Sequence, residues 1–448
     1  MLEVARNPNI NLLTYANVTE LKGYIGNYEV EVTKKPRYVK SNCNGCGACV
    51  DVCPAWGANA FDWGLSSRKA IYIAFAQAVP AKAQIDMDKC IKCGNCQKVC
   101  ELEAINFDDK PEKIHLKVGT IIVATGWDEF KPERGYLGYG VVKNVITQGQ
   151  LERILAPNGP SLGNLVRPSD GKHPHSVLFI QCVGSRDKKH NSWCSAGVCC
   201  MISVKNAKLI KQHSPDSNVA VAYIDMRCGG KMYDEYYSAA RDAGVLFLRG
   251  KVADVKENPK NGEAIVIIED AASGELIEQE FDLVVLSASM QAPRDIDELN
   301  NVLRLERSPD GFFKEYHSRL NPVDAKVPGI HFAGVSQGPK SIAETIMQAK
   351  GAASSAGIIM QKGEYTIDLI RAVVDPNRCS ACGLCERACP YEAISMNAAS
   401  GYANVDEIRC RGCGTCCSVC PSASISLRYY RDGQYQAYID ALLETELE

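Results

Sequence analysis

No run in this chain approaches the ~18 consecutive apolar residues of a membrane span, so no transmembrane segment is expected. A surplus of positive charge is also missing. Lys+Arg is 50 and Asp+Glu 53, for a formal net charge of -3, which argues against a nucleic-acid binder. The opening MLEVARNPNI has no basic stretch followed by an apolar one, so no secretory signal is visible and a cytoplasmic location is expected. No H-E-x-x-H and no Walker loop occur, which argues against a zinc peptidase and a P-loop nucleotidase. The phosphate-cradling G-x-G-x-x-G is absent too. Gly135, Gly138 and Gly140 carry the order reversed, and the glycine pairs near Cys46 and Cys413 sit inside cysteine loops.

Cysteine is what the chain has in excess: 22 of 448 residues. A chain this long has room for two to four domains and does not need disulfides as a small secreted scaffold does. Reduced thiols in such numbers bind metal or do redox chemistry. Sixteen of them form one pattern, C-x2-C-x2-C-x3-C, four times: Cys43, Cys46, Cys49, Cys53; Cys90, Cys93, Cys96, Cys100; Cys379, Cys382, Cys385, Cys389; and Cys410, Cys413, Cys416, Cys420. This is the iron–sulfur run of bacterial ferredoxins, whose fourth Cys ligates the neighbouring cluster. Three thiolates two residues apart wrap one face of a [4Fe–4S] cluster, and Gly45, Gly47, Gly94, Gly383, Gly412 and Gly414 let the backbone come close. Pro54, Pro390 and Pro421 follow the fourth Cys as the pattern expects; Glu101 stands there in the second motif.

Crosswise pairing gives two ferredoxin-like units. Cys100 joins Cys43, Cys46 and Cys49, while Cys53 joins Cys90, Cys93 and Cys96. Cys420 joins Cys379, Cys382 and Cys385, while Cys389 joins Cys410, Cys413 and Cys416. The alternative is structural zinc. It uses two separated C-x2-C knuckles and needs no third Cys in the same loop.

Residues 111–362 read as α/β. KIHLKVGTIIVATG (113–126) and SVLFIQC (176–182) are strand runs. A helical stretch follows near 198–213, then a strand NVAVAYIDMRC (218–228) and a helix DEYYSAARDAGV (234–245). VLFLRGKVADVKEN and AIVIIED read as hairpin strands before FDLVVLSAS (281–289). The alternation implies a parallel, doubly wound sheet. Residues 329–360 read as a short strand, a Gly-containing turn and an Ala-rich helix.

That layout resembles the thioredoxin-reductase-like two-dinucleotide flavoproteins. Ala124-Thr125-Gly126 matches their A-T-G turn, and Gly329-Ile330-His331-Phe332-Ala333-Gly334 their closing G-I-F-A-x-G-D, with Val335 where the Asp would be. The resemblance implies FAD contacts at Thr125, Gly126, Gly334, Gln337, Gly338, Pro339 and Lys340. It also leaves the FAD-binding glycine loop to be supplied by another chain, with this one beginning inside the flavin domain.

Of the six remaining cysteines, Cys417 adjoins a motif Cys and reads as a bystander. Cys182 and Cys228 end strand runs of two expected parallel neighbours, with Cys194 between them. Cys199 and Cys200 open the following helix, where the dipole lowers a thiol pKa. The crevice at the carboxyl ends of such strands is the usual nucleotide site; here it carries thiols. A fifth cluster on Cys182, Cys194, Cys199 or Cys200, and Cys228 is one reading. Ordinary buried thiols are the other.

The whole order of parts is similar to the A-type iron–sulfur flavoprotein component of heterodisulfide reductase. The resemblance implies this fold class: α/β, a thioredoxin-reductase-like two-dinucleotide-binding core with an inserted and a C-terminal ferredoxin-like 2[4Fe–4S] domain. The expected divisions are 1–40 (flavin-domain fragment), 41–110 (inserted ferredoxin), 111–172 (flavin-domain return), 173–290 (second Rossmann-like domain with an extra cluster), 291–362 (flavin-domain closing segment), 370–430 (C-terminal ferredoxin) and 431–448 (tail). The implied function is an oxidoreductase subunit of anaerobic metabolism. It would relay electrons between a flavin, in bifurcation or confurcation, ferredoxin and partner redox subunits, with four or five [4Fe–4S] clusters and FAD. The implied partners are a chain carrying the N-terminal FAD-binding part, heterodisulfide reductase B- and C-like subunits, a hydrogenase- or formate-dehydrogenase-linked donor, and ferredoxin. Two alternatives stand: a flavin-free relay, and an NAD(P)H-dependent flavoprotein similar to the small subunit of glutamate synthase. The missing glycine loop and the thiols in the crevice count against the second.

Overall fold

Ser176–Val183 is apolar at almost every position, which marks a strand covered on both faces. In the computed structural model, which describes residues 2–444, this strand is central to a seven-stranded sheet. The order is Val145–Thr147, Leu283–Ala288, Ser176–Val183, Asn218–Tyr223, Leu246–Glu257, Ala264–Asp270, Leu276–Phe281. The first five run parallel, and the last two are added by antiparallel pairing, Ala264–Asp270 running opposite to both its neighbours. Side chains alternate across the central strand as a pleat requires. Val177 and Phe179 pack with Val204 and Ile210 of the helix Val198–His213 on one face. Leu178 and Ile180 pack with Val266, Phe281 and the 136–142 segment on the other.

A buried carboxylate ties this sheet together. Asp282 accepts from Arg167 (2.7 Å) and from the backbone N–H groups of His175 (2.7 Å) and Ser176 (3.0 Å), and its own N–H donates to Ser176 Oγ (2.9 Å). The charge is therefore paired and fully hydrogen-bonded, the condition under which burial is tolerable.

Two strands are shorter than the sequence pattern implies. Residues 113–126 do not form one strand. Glu112–Val118 pairs antiparallel with Asn27–Lys34, and Ile121–Val123 pairs parallel with Ile330–Phe332. One extended segment cannot serve two sheets of different direction, so the chain breaks at Gly119, whose carbonyl accepts from Gly26 N–H (2.9 Å). The strand expected over 218–228 ends at Tyr223, because the residues after it leave the sheet.

The second body is built on the antiparallel strands Ala16–Tyr24, Asn27–Lys34 and Glu112–Val118, the parallel pair and the helix Ile342–Lys362. Its core stacks Phe313 on Phe332 at 5.6 Å between ring centres. Tyr28 OH donates to the Pro328 carbonyl at 2.6 Å, joining segments 300 residues apart.

One cysteine-rich unit leaves this body after Lys34 and returns at Glu112. These two residues are paired neighbours in the sheet, so the insertion costs no strand contact. It docks on the helix Gln148–Leu155: Arg153 pairs with Asp62 at 2.9 Å and lies 4.3 Å over the Phe61 ring. The C-terminal unit is built on two hairpin-like pairs, Ala372–Val374 with Ile425–Leu427 and Ile394–Asn397 with Tyr402–Val405. Among the described residues no helix is long and apolar enough to cross a membrane.

Replacing Asp282 by Ala leaves Arg167 with Asp170 as its remaining carboxylate partner and removes the acceptor of two part-buried backbone N–H groups. The expected loss is about 1–3 kcal/mol, read as a fall in the urea midpoint of the α/β core. A midpoint within experimental error of the parent would contradict the bonding described here.

Candidate cluster and flavin sites

Each cysteine motif is built the same way. A glycine in the left-handed region (Gly47, Gly94, Gly383 or Gly414, φ between 69 and 86°) turns the chain into a short helix that carries the third Cys inward. Cys49, Cys96, Cys385 and Cys416 are accordingly buried, while the second Cys of each motif is exposed. The other motif glycines answer to close approach. A Cβ on Gly45 would lie 2.3 Å from the Ala81 carbonyl, and one on Gly412 2.7 Å from that of Ile370.

The cavities between the thiols cross the motifs. One is walled by Cys90, Cys93 and Cys96 together with Cys53. A second takes Cys379, Cys382 and Cys385 with Cys420. A third takes Cys410, Cys413 and Cys416 with Cys389. Cys43, Cys46 and Cys49 lie close enough for their charges to interact, and Cys43 and Cys49 share a core with Cys100.

Electrostatics divides these thiols by position. Burial, and then the neighbouring Cys43 and Cys46, push Cys49 up to about 11. Burial also raises Cys96 and Cys385. Bringing such groups in as thiolates costs energy that a bound cation must return. Cys420 goes the other way. Burial raises it, but the hydroxyls and backbone N–H groups of Ser424 and Ser422 outweigh that and bring it down to about 7. Backbone N–H groups reach Sγ of three fourth-position cysteines at 3.3 Å: Ala104 to Cys100, Ala393 to Cys389, Ser424 to Cys420.

The donor set suits a cluster better than one ion. Among the described residues no three His, Cys, Asp or Glu side chains converge closely enough to hold a single metal ion. A zinc ion, with Zn–S of about 2.3 Å, would require that. Thiols spread around a shared cavity are what a four-iron cluster needs.

The five core cysteines converge as well. Cys182 takes φ 61° where the strand's register shifts between Ile180 and Val183. Its thiol interacts with Cys200 and Cys194, and Cys228 interacts with Cys200. Cys228 does not end a strand; it lies in the loop beyond Tyr223, and that loop brings it over the first turn of Val198–His213. Gly197 makes this possible, since at φ 80° its missing Cβ would lie 2.4 Å from the Arg227 carbonyl.

The helix start does not lower both thiols there. Cys199 is raised, because it gives its proton to the hydrogen bond with Cys200 and is buried. Cys200 falls to about 7 through that hydrogen bond, the Arg227 N–H and the charges of Arg227 and Arg186. Burial and then Cys200 push Cys228 up to about 11. The two arginines are neighbours of these thiols that spacing alone does not reveal. Their one sequence signal is position: Arg186 lies four residues after Cys182, and Arg227 directly before Cys228.

At the expected flavin site, Thr125 and Gly126 follow one strand of the parallel pair and Gly334 follows the other. Ala333 N–H donates to the Val123 carbonyl (2.9 Å), holding the two turns side by side. A Cβ at Gly126 or Gly338 would meet only open space, so the backbone there is accessible, as a close-lying ligand requires. Gln337 bonds Glu315 (2.8 Å) and Gln348 (2.6 Å). Lys340 Nζ is turned back onto the carbonyls of Gly334 (2.8 Å) and Gly338 (2.9 Å), and burial lowers its pKa. Residues 334–338 also read G-x-S-x-G, the spacing of a hydrolase nucleophile. Ser336 is fully buried and spends its hydroxyl on the Val123 and Ala333 carbonyls (both 3.0 Å), so it is no nucleophile.

Comparison with known proteins agrees with the cysteine geometry. Residues 42–104 match the 4Fe-4S dicluster domain family, and residues 372–395 and 409–430 match 4Fe-4S binding domains. The chain is 54% identical over 449 residues to the A-type iron-sulfur component of the CoB–CoM heterodisulfide reductase of Methanocaldococcus jannaschii, covering 99% of this chain and 68% of that protein. It is 49% identical to the A-type component of the H(2)/formate:CoB-CoM heterodisulfide,ferredoxin reductase of Methanococcus maripaludis, again over 99% of this chain and 68% of the relative. Among solved structures, T. acidophilum thioredoxin reductase aligns with 66% of this chain and 84% of its own at a TM-score of 0.36 and 13% identity, too slight a likeness to bear on the site.

Changing Ser424 to Ala removes the hydroxyl at Cys420 and leaves the backbone N–H. Such neighbours of a ligand are worth about 10–100-fold in metal affinity. Iron loss to a chelator from the C-terminal unit should therefore accelerate about tenfold at one site, with the inserted unit unchanged. Uniform loss rates would show that Ser424 does not tune its cysteine.

Proposed function

The chain belongs to the family of A-type iron-sulfur components of heterodisulfide reductase, and from that footing we propose that its cysteines hold five [4Fe–4S] clusters serving one branched electron path. The sixteen motif cysteines are the ligands of four, paired crosswise. Cys182, Cys194, Cys228 and one of Cys199 and Cys200 hold the fifth. The observation that carries this reading is the sharing of three cavities, each by three thiols of one motif and the fourth thiol of its partner.

Such clusters carry electrons singly, at potentials set by charge, hydrogen bonds and solvent access. The chain supplies those settings. Backbone N–H groups point at Cys100, Cys389 and Cys420, serine hydroxyls add to them at Cys420, and Arg186 and Arg227 set positive charge beside the core thiols. The exposed second cysteine of each motif offers short routes for electrons to and from partner surfaces.

FAD belongs to the proposal, bound at Thr125, Gly126, Gly334, Gln337, Gly338, Pro339 and Lys340 and completed by a partner chain that brings the glycine loop. A bound flavin would supply exchange between two-electron and one-electron carriers, the basis of bifurcation. Two features support a covering partner. The strand Ile121–Val123 has Ile330–Phe332 as its one strand partner among the described residues, which leaves its other edge open. Ile342, Ile346 and Met347 on the adjoining helix are 80, 51 and 64% exposed. The other proposed partners are B- and C-like subunits, a hydrogenase- or formate-dehydrogenase-linked donor, and ferredoxin; a cytoplasmic site of action goes with them.

Iron analysis checks the cluster count. Four iron atoms per cluster give about twenty for five clusters, measured anaerobically with acid-labile sulfide and corrected for other subunits. Cys182→Ser should remove about four iron atoms and one spectroscopic signal, leaving the ferredoxin-type signals. An unchanged count would make the core cysteines ordinary buried thiols, and zinc in place of iron would end the cluster reading.

Flavin retention checks the rest. A dinucleotide is gripped mainly through its pyrophosphate at a glycine loop and helix N-terminus. The chain expressed alone is therefore expected to hold far less than one FAD, and to hold it stoichiometrically once the partner is present. Stoichiometric FAD on the isolated chain would refute the shared site; none in either preparation would favour a pure iron–sulfur relay.

A further inference from the structure

A polar cavity of about 280 Å³ lies between the second body and the C-terminal unit and shares Arg411 with the cavity of Cys410, Cys413, Cys416 and Cys389. It is several times the about 30 Å³ that one water claims, and close to the lower end of small-molecule pockets. Its wall has a built donor pair. His331, 1% exposed, gives its Nδ1 to Asp324 Oδ1 at 2.7 Å. Asp324 is held ionised below its usual range by His331, and then by Asn321 and Ser355. Nδ1 faces the Asp324 carboxylate, and Nε2 is left buried at the cavity wall without a partner among the described residues.

Arg411 lines the same cavity. One of its terminal nitrogens donates to the Ile408 carbonyl at 2.8 Å, while its Nε is buried and also lacks a partner among the described residues. Arg371, another wall residue, is fully buried and bonds only backbone carbonyls, those of Glu407 (2.8 Å) and Ile370 (2.9 Å). Lys326 is taken up by Glu306 at 2.7 Å. With that pair and the Asp324–His331 pair set aside, two guanidinium groups face one lining carboxylate, Asp368. Leaving buried donors unmatched is costly, and more so for charged groups. The rest of the wall includes the apolar Ile358 and Ile359.

We propose that this cavity binds a small organic carboxylate, its head accepting hydrogen bonds from Arg411 Nε and from the Nε2–H of His331, its apolar body lying against Ile358 and Ile359. No bond is made or broken; the site is one of recognition. Its place matters because Arg411 directly follows Cys410, and Ala372, which follows Arg371, donates its N–H to Cys410 Sγ at 3.4 Å. An anion on Arg411 changes the charge beside that thiol, so occupancy is felt at a redox ligand. The binding itself does not depend on which clusters the chain carries.

The test uses the full, anaerobically purified chain and equilibrium dialysis with radiolabelled benzoate, a carboxylate on an apolar ring. Saturable uptake of one benzoate per chain is expected, with no competition from uncharged benzamide. His331→Asn keeps an amide donor for Asp324 and deletes Nε2. Ile358→Trp, at a half-exposed wall position, fills the cavity without touching the polar groups. Each should weaken binding at least tenfold with iron content unchanged; should one variant lose iron, the other decides. Non-saturable uptake, equal competition by benzamide, or parental affinity in the intact variants would overturn the site and leave a water-filled cavity.

Discussion

Four thiols can share a small buried volume only if something replaces the hydration they lose and disperses the charge they gain. That constraint organises both cysteine-rich units. Burial drives the third Cys of a motif up, to about 11 for Cys49, so the apo site resists its own deprotonation. The fold answers with short left-handed glycine turns that set helix starts against the thiols. Backbone N–H groups then reach the fourth Cys from the far motif. Because three of the thiol cavities each draw on two motifs, the sites in them need both halves of their unit.

The same constraint recurs in the α/β core on a different scaffold. The carboxyl ends of parallel strands form a crevice that in related architectures receives a nucleotide. Here Cys182, Cys199, Cys200 and Cys228 fill it, with Arg186 and Arg227 set over them. A bulged strand end, a helix start and a loop folded back by Gly197 each bring one part. A doubly wound sheet with no dinucleotide glycine loop has thus kept its crevice and changed what the crevice is lined with.

The units are joined by few but specific contacts. The inserted unit hangs from two paired strand ends and is steadied by Arg153 against Asp62 and Phe61. The C-terminal unit meets the flavin-type body through Arg304 and Glu392 (2.5 Å), and around the cavity walled by His331 and Arg411. A seam lined by buried cations beside a redox ligand is where binding and electron transfer can influence each other.

The cysteine spacing determined most of the metal chemistry, because ligand loops are local. C-x2-C-x2-C-x3-C encodes a wrapped loop within about ten residues, and continuous apolar runs such as Ser176–Val183 encode strands buried on both faces. Only the tertiary structure decided the rest, for a physical reason: nonlocal partners leave no mark on spacing. Nothing in the pattern of residues 113–126 shows that two sheets compete for them. Nothing near Cys228 tells that its loop returns over the helix start, or that Cys199 rises while Cys200 falls once the two share a proton. His331 looked like one residue of a strand; its meaning came from Asp324 seven residues before it and from Arg411 eighty residues after it, brought to one wall by the packing of two separate bodies.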